Sequence, residues 1–145
     1  MRLTVLPISL AALALAACGS GEEPATEETA ATAAATPAPL PSEIPAAFQG
    51  RWGLSAEDCT AEAGAAGGVL EVTGTELQFY ESVGTLEEVT GATDGRLRGK
   101  FAFTGEGEEW ERDVVLDLRG NGQVLVRREF GEGASLEPFD YTRCS

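Results

Sequence analysis

From residue 68 onward, large apolar side chains alternate with polar ones between short turn segments, the period-two signature of strands with one covered face. Leu70 and Val72 bracket Glu71, and Leu77 and Phe79 alternate with Gln78 and Tyr80. Residues 96–104 carry the clearest pattern: Leu97, Phe101 and Phe103 share one face, Arg96, Arg98 and Lys100 the other. Residues 109–119 set Trp110, Val114, Leu116 and Leu118 against Glu109, Glu111, Asp113 and Asp117. Residues 123–130 place Val124, Val126 and Phe130 on the apolar face, and residues 138–143 place Phe139 and Tyr141 there. Alternation is poor over 85–90, as in an edge or bulged strand. Asn121-Gly122 and Asp94-Gly95 lie between such runs and read as hairpin turns, because these residues tolerate positive φ. With residues 51–54 as the first strand, Trp52 and Leu54 inward, the count is about eight.

Two short helical turns precede the main run of strands. Ser42 is placed to cap one over 42–49, with Phe48 as an apolar plug, and Ser55 and Asp58 stand in capping-box spacing for another over 55–59. Eight short antiparallel strands in about 100 residues predict an all-β fold, a small up-and-down barrel, in which closure removes the unpaired edges an open sheet leaves. A twisted two-sheet sandwich is the alternative.

The N-terminus reads differently. Arg2 is followed by an apolar run, Leu3 to Ala17, too short to span a bilayer comfortably as a helix, so residues 1–17 read as a secretory signal. The run ends in Leu15-Ala16-Ala17-Cys18, which resembles the lipobox of bacterial lipoprotein precursors: a branched residue, two small ones, then the cysteine that receives diacylglycerol. An ordinary signal peptide with Cys18 as a chance neighbour is the other reading. The resemblance implies cleavage before Cys18 and acylation there, with two or three chains meeting the two-signal requirement for stable anchoring. Gly19, in place of an aspartate, resembles the outer-membrane-directed form and implies a protein facing the periplasm, with the inner membrane as the alternative.

With Cys18 lipidated, Cys59 and Cys144 are the one remaining pair among three cysteines, in an oxidising compartment. A disulfide is expected there, stapling the start of the domain to its end and so favouring closure. Residues 18–44 form a tether rich in Ala, Thr, Glu and Pro, unable to bury enough surface to offset chain entropy. Its acidic residues Glu22, Glu23, Glu27, Glu28 and Glu43 repel one another and hold the domain, residues 45–145, off an anionic surface.

Gly50, Trp52 and Arg143 now gain meaning. Gly-x-Trp on a first strand after a helical turn, with an arginine near the C-terminus, resembles the calycin superfamily of lipocalin-like barrels. The resemblance implies that Trp52 packs at the closed end with Arg143 across it. Size and secretion signal are most similar to the periplasmic inhibitors of secreted metalloproteases. Those inhibitors insert a free N-terminal segment into the protease cleft, whereas here that segment is a tether held at Cys18.

Charge and composition narrow the chemistry. With 24 acidic against 10 basic residues and a net charge of −14, nucleic acid is excluded as a partner, and the membrane is reached through acyl chains rather than charge. The absence of histidine removes the usual nucleophile pairs and most zinc sites, so no enzyme activity, cofactor or metal is expected. Residues 105–109, Gly-Glu-Gly-Glu-Glu, lack the spaced ligands of a calcium loop and read as a solvated hairpin turn. The many large inward residues favour a filled barrel, with one small ligand as the alternative. Arg112 and Arg128 fall in phase with apolar faces, either as a buried anion site or as rim residues paired to a carboxylate such as Glu81. The expected function is a non-catalytic binding or inhibitor module for an unknown protein partner, with a cationic envelope hydrolase suited to this charge. An envelope assembly lipoprotein and a carrier of a lipid or small apolar ligand are the alternatives.

Overall fold

A computed structural model describes residues 38–62 and 67–145. The signal segment, Cys18 and most of the tether lie outside them. Eight strands follow one another: β1 (Gly50–Gly53), β2 (Val69–Val72), β3 (Glu76–Gln78), β4 (Ser82–Thr93), β5 (Arg96–Gly105), β6 (Glu108–Arg119), β7 (Val124–Phe130) and β8 (Phe139–Arg143). Each pairs antiparallel with its neighbour, and β1 pairs with β8 through Trp52 opposite Arg143 and Gly53 opposite Thr142. The sheet is therefore a closed up-and-down barrel, not a sandwich.

The one helix among the described residues, α1 (Ala56–Thr60), has Ser55 as N-cap in a full capping box: the Asp58 amide donates to the Ser55 hydroxyl and the Ser55 amide to the Asp58 carboxylate at 2.9 Å. Cys59, on this helix, is bonded to Cys144, with Cα atoms 5.2 Å apart. Over 45–49 the chain makes a tight turn, in which the Phe48 and Gln49 amides donate to the Pro45 and Ala46 carbonyls. Ile44, read as the last tether residue, is 1% exposed and its amide donates to the Gly74 carbonyl, so packing begins before Pro45.

Turn chemistry explains the hairpins. Glu106 and Gly107, at φ 50° and 85°, form the two-residue link between β5 and β6, the doubly left-handed turn whose twist matches its strands. Residues 105–109 are thus a hairpin turn with Glu106 and Glu108 exposed. Asn121 lies in a longer four-residue link with left-handed Gly120 and Gly122 on either side. Residues 85–90 belong to a twelve-residue strand, β4, whose register shifts between Leu86 and Glu88 and again between Val89 and Gly91. Those two bulges spoil the alternation that sequence reading looks for.

Inside, Trp52, Leu70, Leu77, Leu97, Phe101 and Leu125 are fully enclosed. Gly84 makes room for this packing: a Cβ there would lie 2.7 Å from the Phe103 ring. Four inward assignments fail, one at the end of β1 and three on β7. Strand β1 ends at Gly53, and Leu54 is 45% exposed. On β7 the phase is opposite to that expected, because Leu125, Arg127 and Glu129 stand opposite the inward residues Leu118, Leu116 and Val114 of β6, and directly paired residues share a face. Val124, Val126 and Phe130 therefore face outward, and Phe130 is 48% exposed. Val126 is still buried, lying between Asp117 on β6 and Asp140 on β8, but it does not join the interior cluster.

Candidate functional site: the barrel mouth

The two ends of the barrel differ. At one, Trp52 fills the interior and its indole N–H donates to the Phe48 carbonyl at 2.9 Å. The Arg143 guanidinium lies 4.0 Å from the Trp52 ring centroid and donates to the carbonyls of Ala47, Gln49 and Gly122. Gly50, at φ 119°, passes directly beneath it; a Cβ there would stand 3.2 Å from Arg143 Nη1. Gly50, Trp52 and Arg143 thus meet at one place and seal this end.

The other end is a mouth. A cavity of about 350 Å³ opens among the inward residues Phe79, Phe103, Trp110, Arg112, Arg127 and Glu129, with Gly67, Tyr80, Glu81 and Ser82 completing its wall. Phe103 and Trp110, paired across β5 and β6, stack with centroids 5.6 Å apart and planes at 12°. The barrel is filled at its sealed end and below Phe101, and open here.

Charge inside the mouth sets it apart. The Arg127 side chain, 7% exposed, is clamped between aromatic rings, its guanidinium carbon 4.5 Å from the Phe79 centroid and 4.4 Å from that of Phe139. Its Nη1 pairs with Glu129 Oε1. Arg112, 13% exposed at its side chain, has Nε 4.0 Å from Glu129 Oε2, beyond hydrogen-bonding range, and Nη1 donating to the Glu111 carbonyl at 2.9 Å. Among the described residues, the buried Nε–H groups of both arginines have no hydrogen-bond acceptor. One carboxylate therefore faces two guanidiniums at the mouth.

Of the two arginines the sequence singles out, Arg112 is interior and close to Glu129 rather than Glu81. Arg128 is not interior: it points outward and donates to Asp117 at 3.3 Å, on a carboxylate that Arg96 also holds. Sequence reading missed Arg127 and Glu129. The segment Val124 to Phe130 has apolar residues in both phases, and only the β6–β7 register decides which arginine enters the barrel.

A larger groove, about 1,290 Å³, runs beside Glu88, Lys100, Asp113, Phe130 and Glu132 and shares Trp110 and Arg112 with the mouth. Lys100 there pairs with Glu88 at 3.0 Å, both more than half exposed, so its charges stay solvated at little cost. The smaller mouth is the better candidate, because burying unsatisfied guanidinium N–H groups costs stability. Among the described residues no group of three or more Asp, Glu, Cys or His is placed to hold a metal ion. The chain matches no protein-family model, no curated protein and no solved structure.

Tyr141 lies behind Arg127, 3% exposed, its ring centroid 5.8 Å from the guanidinium carbon. Burial pushes its phenol above the ordinary 10.0, with Arg127 partly opposing. A folded-state value above the unfolded one means the native chain holds its proton more tightly, so stability falls as pH rises through 10.0 toward the folded value. Denaturant unfolding at alkaline pH is expected to show this loss in the native sequence and a smaller loss in Tyr141→Phe. Equal losses would mean that Tyr141 does not titrate differently on folding.

Proposed function

We propose that this chain is an envelope lipoprotein, anchored by acyl chains on Cys18 at the outer membrane and facing the periplasm, whose barrel is a non-catalytic binding module that takes a small ligand in its mouth. The observation that carries the binding reading is the mouth itself: about 350 Å³, walled by aromatic rings, with two buried guanidiniums whose Nε–H groups lack acceptors. Pockets of this size with a few converging polar groups are ordinary ligand sites. The seal made by Gly50, Trp52 and Arg143 supports the likeness to calycin barrels, which open at one end. The lipobox-like segment supports the anchor, and the tether, which ends before the packed Ile44, supplies reach, on the order of 80 Å if fully extended at about 3.1 Å per residue.

A second reading rests on the larger groove. Glu87, Glu88, Glu111, Asp113 and Glu132 beside half-exposed Phe130 suit a cationic protein partner such as an envelope hydrolase.

Native mass spectrometry of the full chain extracted from membranes in detergent tests both parts of the first reading. The expected result is a polypeptide that begins at Cys18 and carries acyl mass, with a small adduct that leaves on activation. A chain retaining Met1 or lacking acyl mass would remove the anchor. Absence of any adduct, with Trp110 emission unmoved by a periplasmic small-molecule extract, would remove the ligand.

A further inference from the structure

Accepting that the mouth binds a small ligand, its residues also specify the ligand's charge and size. Three ionisable side chains face into the cavity wall from the sheet: Arg112 on β6, and Arg127 and Glu129 on β7. Glu81 stands on the rim, exposed to solvent. The interior thus holds two positive charges against one negative, an excess of one. Glu129 engages Arg127 through Nη1 alone, leaving its buried Nε–H free, and the Nε–H of Arg112 is free as well.

We propose that the mouth binds a small amphipathic monoanion: a carboxylate bearing an aromatic or short alkyl body. The reasons are separable. A guanidinium pairs with a carboxylate through its terminal N–H groups, and among the described residues Nη2 of Arg127 and of Arg112 has no acceptor and, unlike the enclosed Nε, is not fully buried. One negative charge neutralises the interior, whereas a dianion over-compensates it and a neutral or cationic head leaves the excess buried. The stacked Phe103 and Trp110 rings offer a flat apolar wall for the body. A volume of about 350 Å³ lies at the small end of ligand pockets and suits a short body. The clamp of Phe79 and Phe139 on Arg127 fixes the guanidinium before the ligand arrives, which lowers the entropic cost of binding.

The test uses the full chain in detergent micelles and three probes with a common body: phenylbutyrate, phenylbutanol and phenylbutylamine. Binding is read by calorimetry against micelle blanks and by quenching of tryptophan emission. The expected order places phenylbutyrate at least about tenfold tighter than phenylbutanol, with phenylbutylamine weakest, as for a charge-assisted bond to a guanidinium. Arg127→Met should lose at least about tenfold for phenylbutyrate while leaving phenylbutanol nearly unchanged. Glu129→Gln, which raises the interior excess, should tighten phenylbutyrate severalfold. If Arg127→Met loses its near-ultraviolet dichroism and so does not fold, Glu129→Gln decides alone, and an affinity for phenylbutyrate that is unchanged or lower overturns the inference. Equal affinities for the carboxylate and the alcohol overturn the anion inference and leave the mouth as a binding site. Failure of all three probes to bind overturns the mouth reading with it.

Discussion

Replacing Cys59 and Cys144 together by serine is expected to lower the unfolding free energy by about 4 to 5 kcal/mol, since the bond closes a separation of 85 residues. For a domain of about 100 residues that loss lowers the melting temperature by roughly 15 to 30 °C. The location makes the full effect plausible. The seam between β1 and β8 consists of two paired positions, Trp52 with Arg143 and Gly53 with Thr142. Next to it the Cys144 amide donates to the Arg51 carbonyl at 3.0 Å, and the Arg51 side chain donates to the Asp58 and Ala61 carbonyls around α1. The disulfide thus ties α1 to the end of β8 at a short seam, where an unlinked chain would pay the largest loop-closure cost for few ladder bonds. Urea unfolding of the oxidised chain and the double variant measures the difference. A loss below about 1 kcal/mol would show that the seam holds without the bond.

The second large effect lies at the sealed end. Trp52 is wholly enclosed, and Trp52→Ala is expected to cost about 3 to 5 kcal/mol through lost packing and the cavity left behind. Arg143→Met removes a cation over that ring and three donors to the carbonyls of Ala47, Gln49 and Gly122, for an expected cost of about 2 to 3 kcal/mol. Because the two side chains touch, the costs should not add. A double-mutant cycle is expected to give a coupling of about 1 to 2 kcal/mol. Additivity within about 0.3 kcal/mol would show that the guanidinium holds the carbonyls and does nothing for the ring.

Much of the barrel was legible because its evidence is local. Alternation over 96–104 and 109–119 marks β5 and β6, since a strand facing a dry interior must turn every second side chain inward. The capping box at Ser55 and Asp58 needs only its own few residues. The cysteine pairing followed from having two candidates once Cys18 was assigned elsewhere. What resisted was information held between elements. The bulges of β4 shift its register against β5, so its outward and inward positions cannot be read from β4 alone.

The mouth shows the same division more sharply. Sequence alone marked Arg112 as in phase with Trp110 and Val114, and the structure keeps it inside. It also marked Arg128, and there the pattern was ambiguous: Leu125 and Val126 are adjacent and both buried, one in the interior and one in a covered place on the outer wall. A one-residue change of phase turns every side chain to the other face, exchanging Arg128 for Arg127 and bringing Glu129 inward with it.

The sequence by itself determined the class of fold, the sites of the turns and the cysteine staple, because strand period, turn preference and cysteine count are properties of the chain read along its length; the trio Gly50, Trp52 and Arg143 was marked only through the resemblance to calycin barrels. Only the tertiary structure decided that the barrel is filled at one end and open at the other, and that two arginines and one glutamate share the opening. Those facts depend on which face of β7 meets β6, a choice made by hydrogen-bond register across the sheet and by the rings that surround Arg127 from two other parts of the chain, Phe79 and strand β8.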